Sequence, residues 1–378
     1  MNTKNLLIGL GIGCAVVFLA SVGLAFAVAR HLTATPPKPE ALPSALAKAS
    51  VRVGSGLLTK TVFAHNPALG TVSDIVVQSS SGKQPSIAIA GSEAAAFADV
   101  KGSLGTPIRF SDRGDRVSIV DTNGDGVFEY LNCGSWISDV ILFDHKGSVI
   151  WRYGGSPGVD DAAAGDIDGD GVMEYVVGFN GGGGVSELDK NGKLAWNQPD
   201  GNVWHVEMVD TNGDGQLDIV HSNAAGTLTV RDARGSVISR KTTAAYLSHF
   251  SLCKWPGRSG RPAVLSTSQN HLLVSDFGGR TMAQLRAPGC DEIRGDAWGA
   301  YVKLKPRQPD YFAAIVEFEN WNRSMLCVYD WHSRLVYQEI LPENCAAIEA
   351  LPVETDREAL LVGGKGKIWK YVAAPTQP

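Results

Sequence analysis

The stretch "LFDHKGSVIW" (residues 142–151) decides the fold, because the chain writes it several times. It returns as "ELDKNGKLAW" (187–196), "VRDARGSVIS" (230–239), "VSDFGGRTMA" (274–283) and, more loosely, "VYDWHSRLVY" (328–337), with a fainter copy, "FADVKGSLGT", at 97–106. The Asp of each copy stands at 99, 144, 189, 232, 276 and 330, at intervals of 45, 45, 43, 44 and 54 residues. Self-similarity with a period of roughly 20–50 residues marks a repeat architecture. Inside one period, short β-type runs alternate with turns: "VSIVD", "VFEYLNCG", "SDVILFD" and "SVIWRY" are separated by "TNGDG" and "HKG". Four strands in about 45 residues make one propeller blade, and the Gly of the D-x-x-G turn supplies the positive φ a tight hairpin needs.

Units fall near 71–106, 115–154, 160–198, 203–241, 247–286, 296–340 and 345–372. The last holds only three strand-like runs, while "GSGLLTKTVF" (54–63) is a fourth-strand phrase with no blade of its own. The sequence therefore predicts an all-β, seven-bladed propeller over residues 51–373, with a short tail at 374–378. Its N-terminal strand completes the last blade and leaves no long sheet edge open. Six or eight blades stay possible at this stage, because the 54-residue interval admits a loop insertion.

The 378 residues, 44% of them hydrophobic, supply a sizeable core. With 34 basic against 39 acidic residues and no Lys/Arg block, the chain lacks the charge pattern of a nucleic-acid binder. Leu6–Ala29 is a 24-residue uncharged stretch between Lys4 and Arg30. That exceeds the roughly 20 apolar residues needed to cross a bilayer and the roughly 7–15 of a cleaved signal core. The expectation is an uncleaved anchor (1–30), with cleavage after Ala25-Phe26-Ala27, or a lipoprotein signal at Cys14, as alternatives. Residues 31–50, rich in Pro and Ala, read as a spacer that holds an exported domain off the membrane. The six Cys form no C-x-x-C pair, so zinc clusters are unsupported and disulfide pairing is open.

A second motif repeats in register with the first: "DTNGDGVFE" at 121, "DIDGDGVME" at 166 and "DTNGDGQLD" at 210. Each loop offers side-chain oxygens at positions 1, 3, 5 and 9 and a backbone carbonyl at position 7. The three candidate sets are Asp121, Asn123, Asp125, Val127 and Glu129; Asp166, Asp168, Asp170, Val172 and Glu174; and Asp210, Asn212, Asp214, Gln216 and Asp218. Hard oxygens on a tight Gly-containing loop suit Ca²⁺, which takes about six to eight of them. An EF-hand brings its bidentate Glu from later in the loop and is flanked by helices, whereas these loops are flanked by strands. Solvated hairpins without metal are the bland alternative.

These residues resemble FG-GAP/VCBS repeats, the units of the integrin α-subunit propeller, most closely over residues 115–241. The resemblance implies about three Ca²⁺ between first and second strands, stiffening blades away from the face that meets a ligand. Blades one, five, six and seven carry "QSSSGKQPS", "KWPGRSGRPA", "LKPRQPDYFA" and "PVETDREA" instead, so metal-free loops are expected there.

Counting five residues back from each loop-starting Asp places Arg116, Asp161 and His205, and by analogy His249, at one mouth of the central channel. Trp204 and Trp298 stand in similar lead-in segments, and Trp136 and Trp321 lie between second and third strands. This set is the candidate binding surface for a protein or glycan, opposite the acidic loops; buried hydrogen bonding and inter-blade packing are the competing reading. The functional expectation is a membrane-tethered recognition or adhesion module. An exported enzyme acting on polysaccharide, or a quinoprotein-like oxidoreductase, is the alternative. Trp151 and Trp196, at the end of the D-x-x-G phrase, read as packing between blades.

Overall fold

A computed structural model describes residues 56–375 except 79–84, 113–115, 134–138, 156, 224, 243–245, 256–261, 269–270, 289–295 and 319–321, and describes the backbone alone at 246–249, 254 and 318. The expected anchor and spacer lie outside the described residues. Among the described residues no helix is long and apolar enough to cross a membrane.

Seven four-stranded antiparallel sheets make seven blades. Their innermost strands are Val72–Gln78, Arg116–Val120, Val159–Gly165, Val203–Val209, Tyr246–Lys254, Ala297–Val302 and Ala347–Glu354. In blades one to six the chain then runs outward strand by strand. Blade seven is closed from the other end of the domain: Leu58–His65 pairs antiparallel with Lys367–Ala373, with a bulge between Val62 and Ala64. The expected closing strand is thus present, shifted a few residues along the chain. The excess of the 54-residue interval is absorbed without another blade. Part of it lengthens the second and third strands of blade six, Tyr311–Phe318 and Arg323–Tyr329.

The D-x-x-G phrase recurs because it is a self-contained hydrogen-bonded turn. Asp144 Oδ1 accepts from the N–H of Lys146 (2.9 Å) and Ser148 (2.8 Å), and the Gly147 N–H donates to the Asp144 carbonyl at 2.9 Å. Asp99, Asp189, Asp232 and Asp330 accept in the same way. Gly is required at the fourth position for two reasons. Its φ is 84° at Gly147, and a Cβ there would lie 2.1 Å from the carbonyl of Arg109 on the preceding blade. Each turn therefore also docks one blade on its neighbour.

The apolar core is divided into clusters between adjacent blades. One of them joins Leu131, Val140, Leu142 and Trp151 of blade two to Tyr175, Val177 and Leu188 of blade three. Trp151 meets Tyr175 edge-on at 4.8 Å, and Trp196 Nε1 donates to the Ala233 carbonyl at 3.3 Å. Both indoles fill gaps between blades. Cys133, Cys253, Cys327 and Cys345 are buried free thiols within these clusters.

Candidate functional site

The three acidic loops join first to second strands in blades two, three and four, and their internal wiring is the same. The carboxylate at position 1 accepts from the N–H of the Gly at position 6, at 2.9 Å in all three. The side chain at position 3 accepts from the N–H at position 5 at 3.0, 3.1 and 2.8 Å, and position 5 accepts from position 7 at 2.7, 2.8 and 2.8 Å. The acid at position 9 reaches back to the N–H at position 2, at 3.2 Å each time. Gly at positions 4 and 6 has φ between 72° and 87°, the left-handed region that lets so short a loop fold back on its own side chains.

This wiring holds several oxygens in a small space with half of their capacity unspent. Ligand atoms of Asp166, Asp168 and Glu174 lie within 4.8 Å of one another. Asp121 Oδ1 is buried without a hydrogen-bond partner. Burial, then the charges of Asp168, Asp170 and Asp166, push the Glu174 carboxyl upward; backbone N–H donors from Gly215 and Gly213 hold Asp210 below the ordinary range. Crowded carboxylates with an orphaned buried oxygen are what a hard divalent cation would relieve, so the donor set fits Ca²⁺.

The central channel forms the second site. Pairing register, counted inward from each D-x-x-G Asp, puts Asp74, Arg116, Asp161, His205 and Trp298 on one rung of the innermost strands of blades one to four and six. A cavity of about 670 Å³ is lined by Asp74, Arg116, Asp161, His205 and Trp298 at this rung. It continues along the strands to Asp121, Asp166 and Gly215 of the acidic loops. The ring and the loops thus share one cavity.

Arg116 Nη2 and His205 Nδ1 both bond the buried carboxylate of Asp161, which also accepts from the Val206 N–H at 3.0 Å. His205 Nε2 lies 3.3 Å from Glu207 Oε1, and the ring packs edge-on against Phe250 at 4.5 Å. Burial alone would lower the His205 pKa. Asp161 and Glu207, one on each ring nitrogen, outweigh it and hold the imidazolium up at about 9. Burial, followed by the Asp161 charge, pushes the neighbouring Cys133 thiol up to about 12. An imidazolium between two carboxylates and a protonated, neutral thiol are not poised as base and nucleophile at neutral pH. The ion-paired Arg116, Asp161 and His205 are fixed charges suited to holding something.

Of the expected surface, Arg116, Asp161, His205 and Trp298 come together. Trp204, the strand neighbour of His205, is not among the residues lining the cavity; it lies at the register shift between Val203 and His205. His249 falls within the register shift between Tyr246 and Ser251 in the innermost strand of blade five, its side chain outside the described residues, as are Trp136 and Trp321 altogether. Sequence counting missed Asp74, Glu207 and Ser251. Asp74 had a usable signal: it precedes its D-x-x-G Asp by 25 residues, close to the 28, 28 and 27 of Arg116, Asp161 and His205.

No family model matches the chain, and no curated protein matches it. Solved structures do match. BBS1N in complex with ARL6DN aligns with TM-score 0.54 and 15% identity over 85% of this chain and 98% of that one. Streptogramin B lyase aligns at 0.57 and 10% over 84% and 98%, and the Neurospora crassa Pan2 WD40 domain at 0.51 and 12% over 84% and 96%. At such identities the likeness is one of fold: what the chain shares with these proteins is the seven-bladed β-propeller.

Proposed function

We propose that the chain is an exported, membrane-tethered propeller of the FG-GAP/VCBS type, stiffened by about three Ca²⁺ and acting as a binding module for a protein or glycan. The observation that carries the reading is the set of four backbone-to-side-chain hydrogen bonds that all three acidic loops share, joined in the first loop by the orphaned Oδ1 of Asp121. One Ca²⁺ would sit on Asp121, Asn123, Asp125, Glu129 and the Val127 carbonyl, with the equivalent sets in the next two blades. The uncharged run Leu6–Ala29 supports tethering. The complex of BBS1N with ARL6DN supports protein recognition as one use of this architecture. The enzymatic alternative gains nothing from the channel, where His205 is held between two carboxylates.

The test is metal analysis of the purified full-length chain together with a pull-down from its native envelope. Close to three calcium per chain, extraction only by detergent, and a saturable partner that is recovered unaltered are expected. A metal-free chain sinks the calcium reading, a mature chain starting near residue 28 in the soluble export fraction sinks the anchor, and turnover of a polysaccharide sinks the binding module.

A further inference from the structure

Among the described residues the channel carries two cations, Arg116 and His205, and three carboxylates, Asp74 and Asp161 on the rung and Glu207 two residues along the strand from His205, and they do not cancel. Asp161 is consumed by Arg116 and His205. Glu207 gives Oε1 to His205. Among the described residues the hydrogen-bond partners of Asp74 are neutral: its Oδ2 accepts from the Ile119 N–H at 2.8 Å, and burial followed by backbone bonds and the charge of Glu207 leaves its carboxyl raised to about 6. A half-buried carboxylate beside a second one is costly to ionise, and the group shifts its pKa unless a cation arrives.

Two further observations point the same way. Ser251 Oγ, from blade five, lines the cavity in a residue only 9% exposed and has no hydrogen-bond partner. It is an acceptor or donor held ready in a buried place. Further along the cavity the lining turns apolar, with Ala162, Ala164, Val120, Met173 and Leu217, and Trp298 joins the lining on the charged rung. The result is an amphipathic slot of about 670 Å³, within the range of small-ligand sites.

We propose that the channel is a binding site for an organic cation, a primary ammonium or guanidinium, whose charged head meets Asp74 and Glu207 with Ser251 Oγ as a further partner, and whose alkyl stem lies along the Ala162–Ala164 wall. Trp298 contributes an aromatic face of the kind cations favour. The acidic loops at the other end of the cavity add a negative field that draws such a ligand in. This rests on the reading of the propeller as a binding module and names the chemistry it recognises. The same head group is offered by a free amine and by the side chain of a Lys or Arg on a partner protein.

The experiment uses the full chain in detergent with calcium present, titrated calorimetrically with n-butylammonium and N-acetyl-lysine methylamide, with butan-1-ol and butyrate as neutral and anionic controls. Saturable binding of a cationic probe at least about tenfold tighter than either control is expected, that factor being the loss of one charge-assisted hydrogen bond. Asp74→Asn keeps an oxygen for the Ile119 N–H and is expected to weaken the amine about tenfold, Glu207→Gln likewise, and Ser251→Ala less. Equal affinity for both cationic probes indicates a side chain presented by a partner, and binding of butylammonium alone indicates a free amine; either supports the site. Controls that bind as tightly as the cations overturn it using the native chain alone. An Asp74→Asn, Glu207→Gln chain that melts like the native protein and keeps its amine affinity also overturns it. A melting scan with chelator, run in parallel, judges the calcium reading separately.

Discussion

The loops between first and second strands of blades two to four and those of blades six and seven solve one problem in opposite ways. In blades two to four each loop folds on its own carboxylates and gathers negative charge. In blades six and seven the acids are answered from within the chain. Lys303 Nζ lies 3.0 Å from Asp356 Oδ1, the Arg307 N–H donates to Asp356 Oδ2 at 2.9 Å, and the Lys303 N–H donates to Glu358 Oε2 at 2.8 Å. On the proposed calcium reading, the stability of blades two to four would depend on what is dissolved around them, whereas blades six and seven carry their own counter-charges.

Chelation gives the largest expected difference. A ligand bound only to the folded state at a hundred times its Kd contributes about 2.7 kcal/mol. Three such sites in a chain of this size correspond to a fall in Tm of more than about 10 °C when calcium is removed. Glu174→Gln, which removes the acid at position 9 of the second loop, is expected to cut the calcium count from three to two and to shrink the chelator effect by about a third. Calorimetry with and without chelator reads both. A melting curve indifferent to chelator erases the contrast between the two halves.

The next effect separates the channel from both sets of loops. His205, raised to about 9, binds its proton more tightly folded than unfolded, so its contribution is complete below its unfolded pKa near 6.5 and is lost as pH climbs through 9. Asp74, raised to about 6, acts in the same direction lower down: the folded chain keeps a proton that the unfolded chain releases near 3.8, and stability declines between those values. Calcium-saturated protein should melt progressively lower from pH 6.5 to 9.5, and His205→Gln should flatten that slope. A profile that rises over this interval contradicts the ion-paired imidazolium.

The fold was legible because its signal is local. An Asp that caps its own turn leaves the same trace in blades one to six, followed by a Gly of positive φ in all of them but blade six. Blade seven carries no such trace, since its third and fourth strands come from opposite ends of the domain. With no turn to act as a ruler, the expected closing strand was placed at 54–63, whereas pairing with Lys367–Ala373 and the bulge at Val62 fix it at Leu58–His65. The channel was half legible for the same reason. Arg116, Asp161 and His205 stand a fixed distance before an acidic loop, but Asp74 and Ser251 belong to blades without one. Trp204, expected from its place in a strand-entry segment, sits at the register shift between Val203 and His205 and outside the cavity lining.

Blade six offers a smaller test of how much the turn itself contributes. Its phrase ends "DWHS", and Ser333 sits at φ 61° where the equivalent residues are Gly at 72° to 89°. A Ser in the left-handed region carries a conformational cost that Gly avoids, so Ser333→Gly is expected to stabilise the chain by about 1 kcal/mol. Denaturant unfolding in saturating calcium measures it. A loss of stability instead means that the greater freedom of Gly in the unfolded chain outweighs the relief of strain.

The smallest effect is the sharpest for the comparison. Lys303 and Asp356 are 39% and 45% exposed, and pairs so open to water contribute little. Lys303→Ala should leave Tm within replicate error, and chelator should lower the melting temperature of this variant as far as it lowers that of the native chain. The backbone N–H groups of Lys303 and Arg307 still reach Glu358 and Asp356 in the variant, so blade seven keeps its fixed partners. If Lys303→Ala instead makes the chain newly sensitive to calcium, the acids of blade seven have begun to recruit the ion themselves. The two halves of the ring would then differ by one lysine and not by loop architecture.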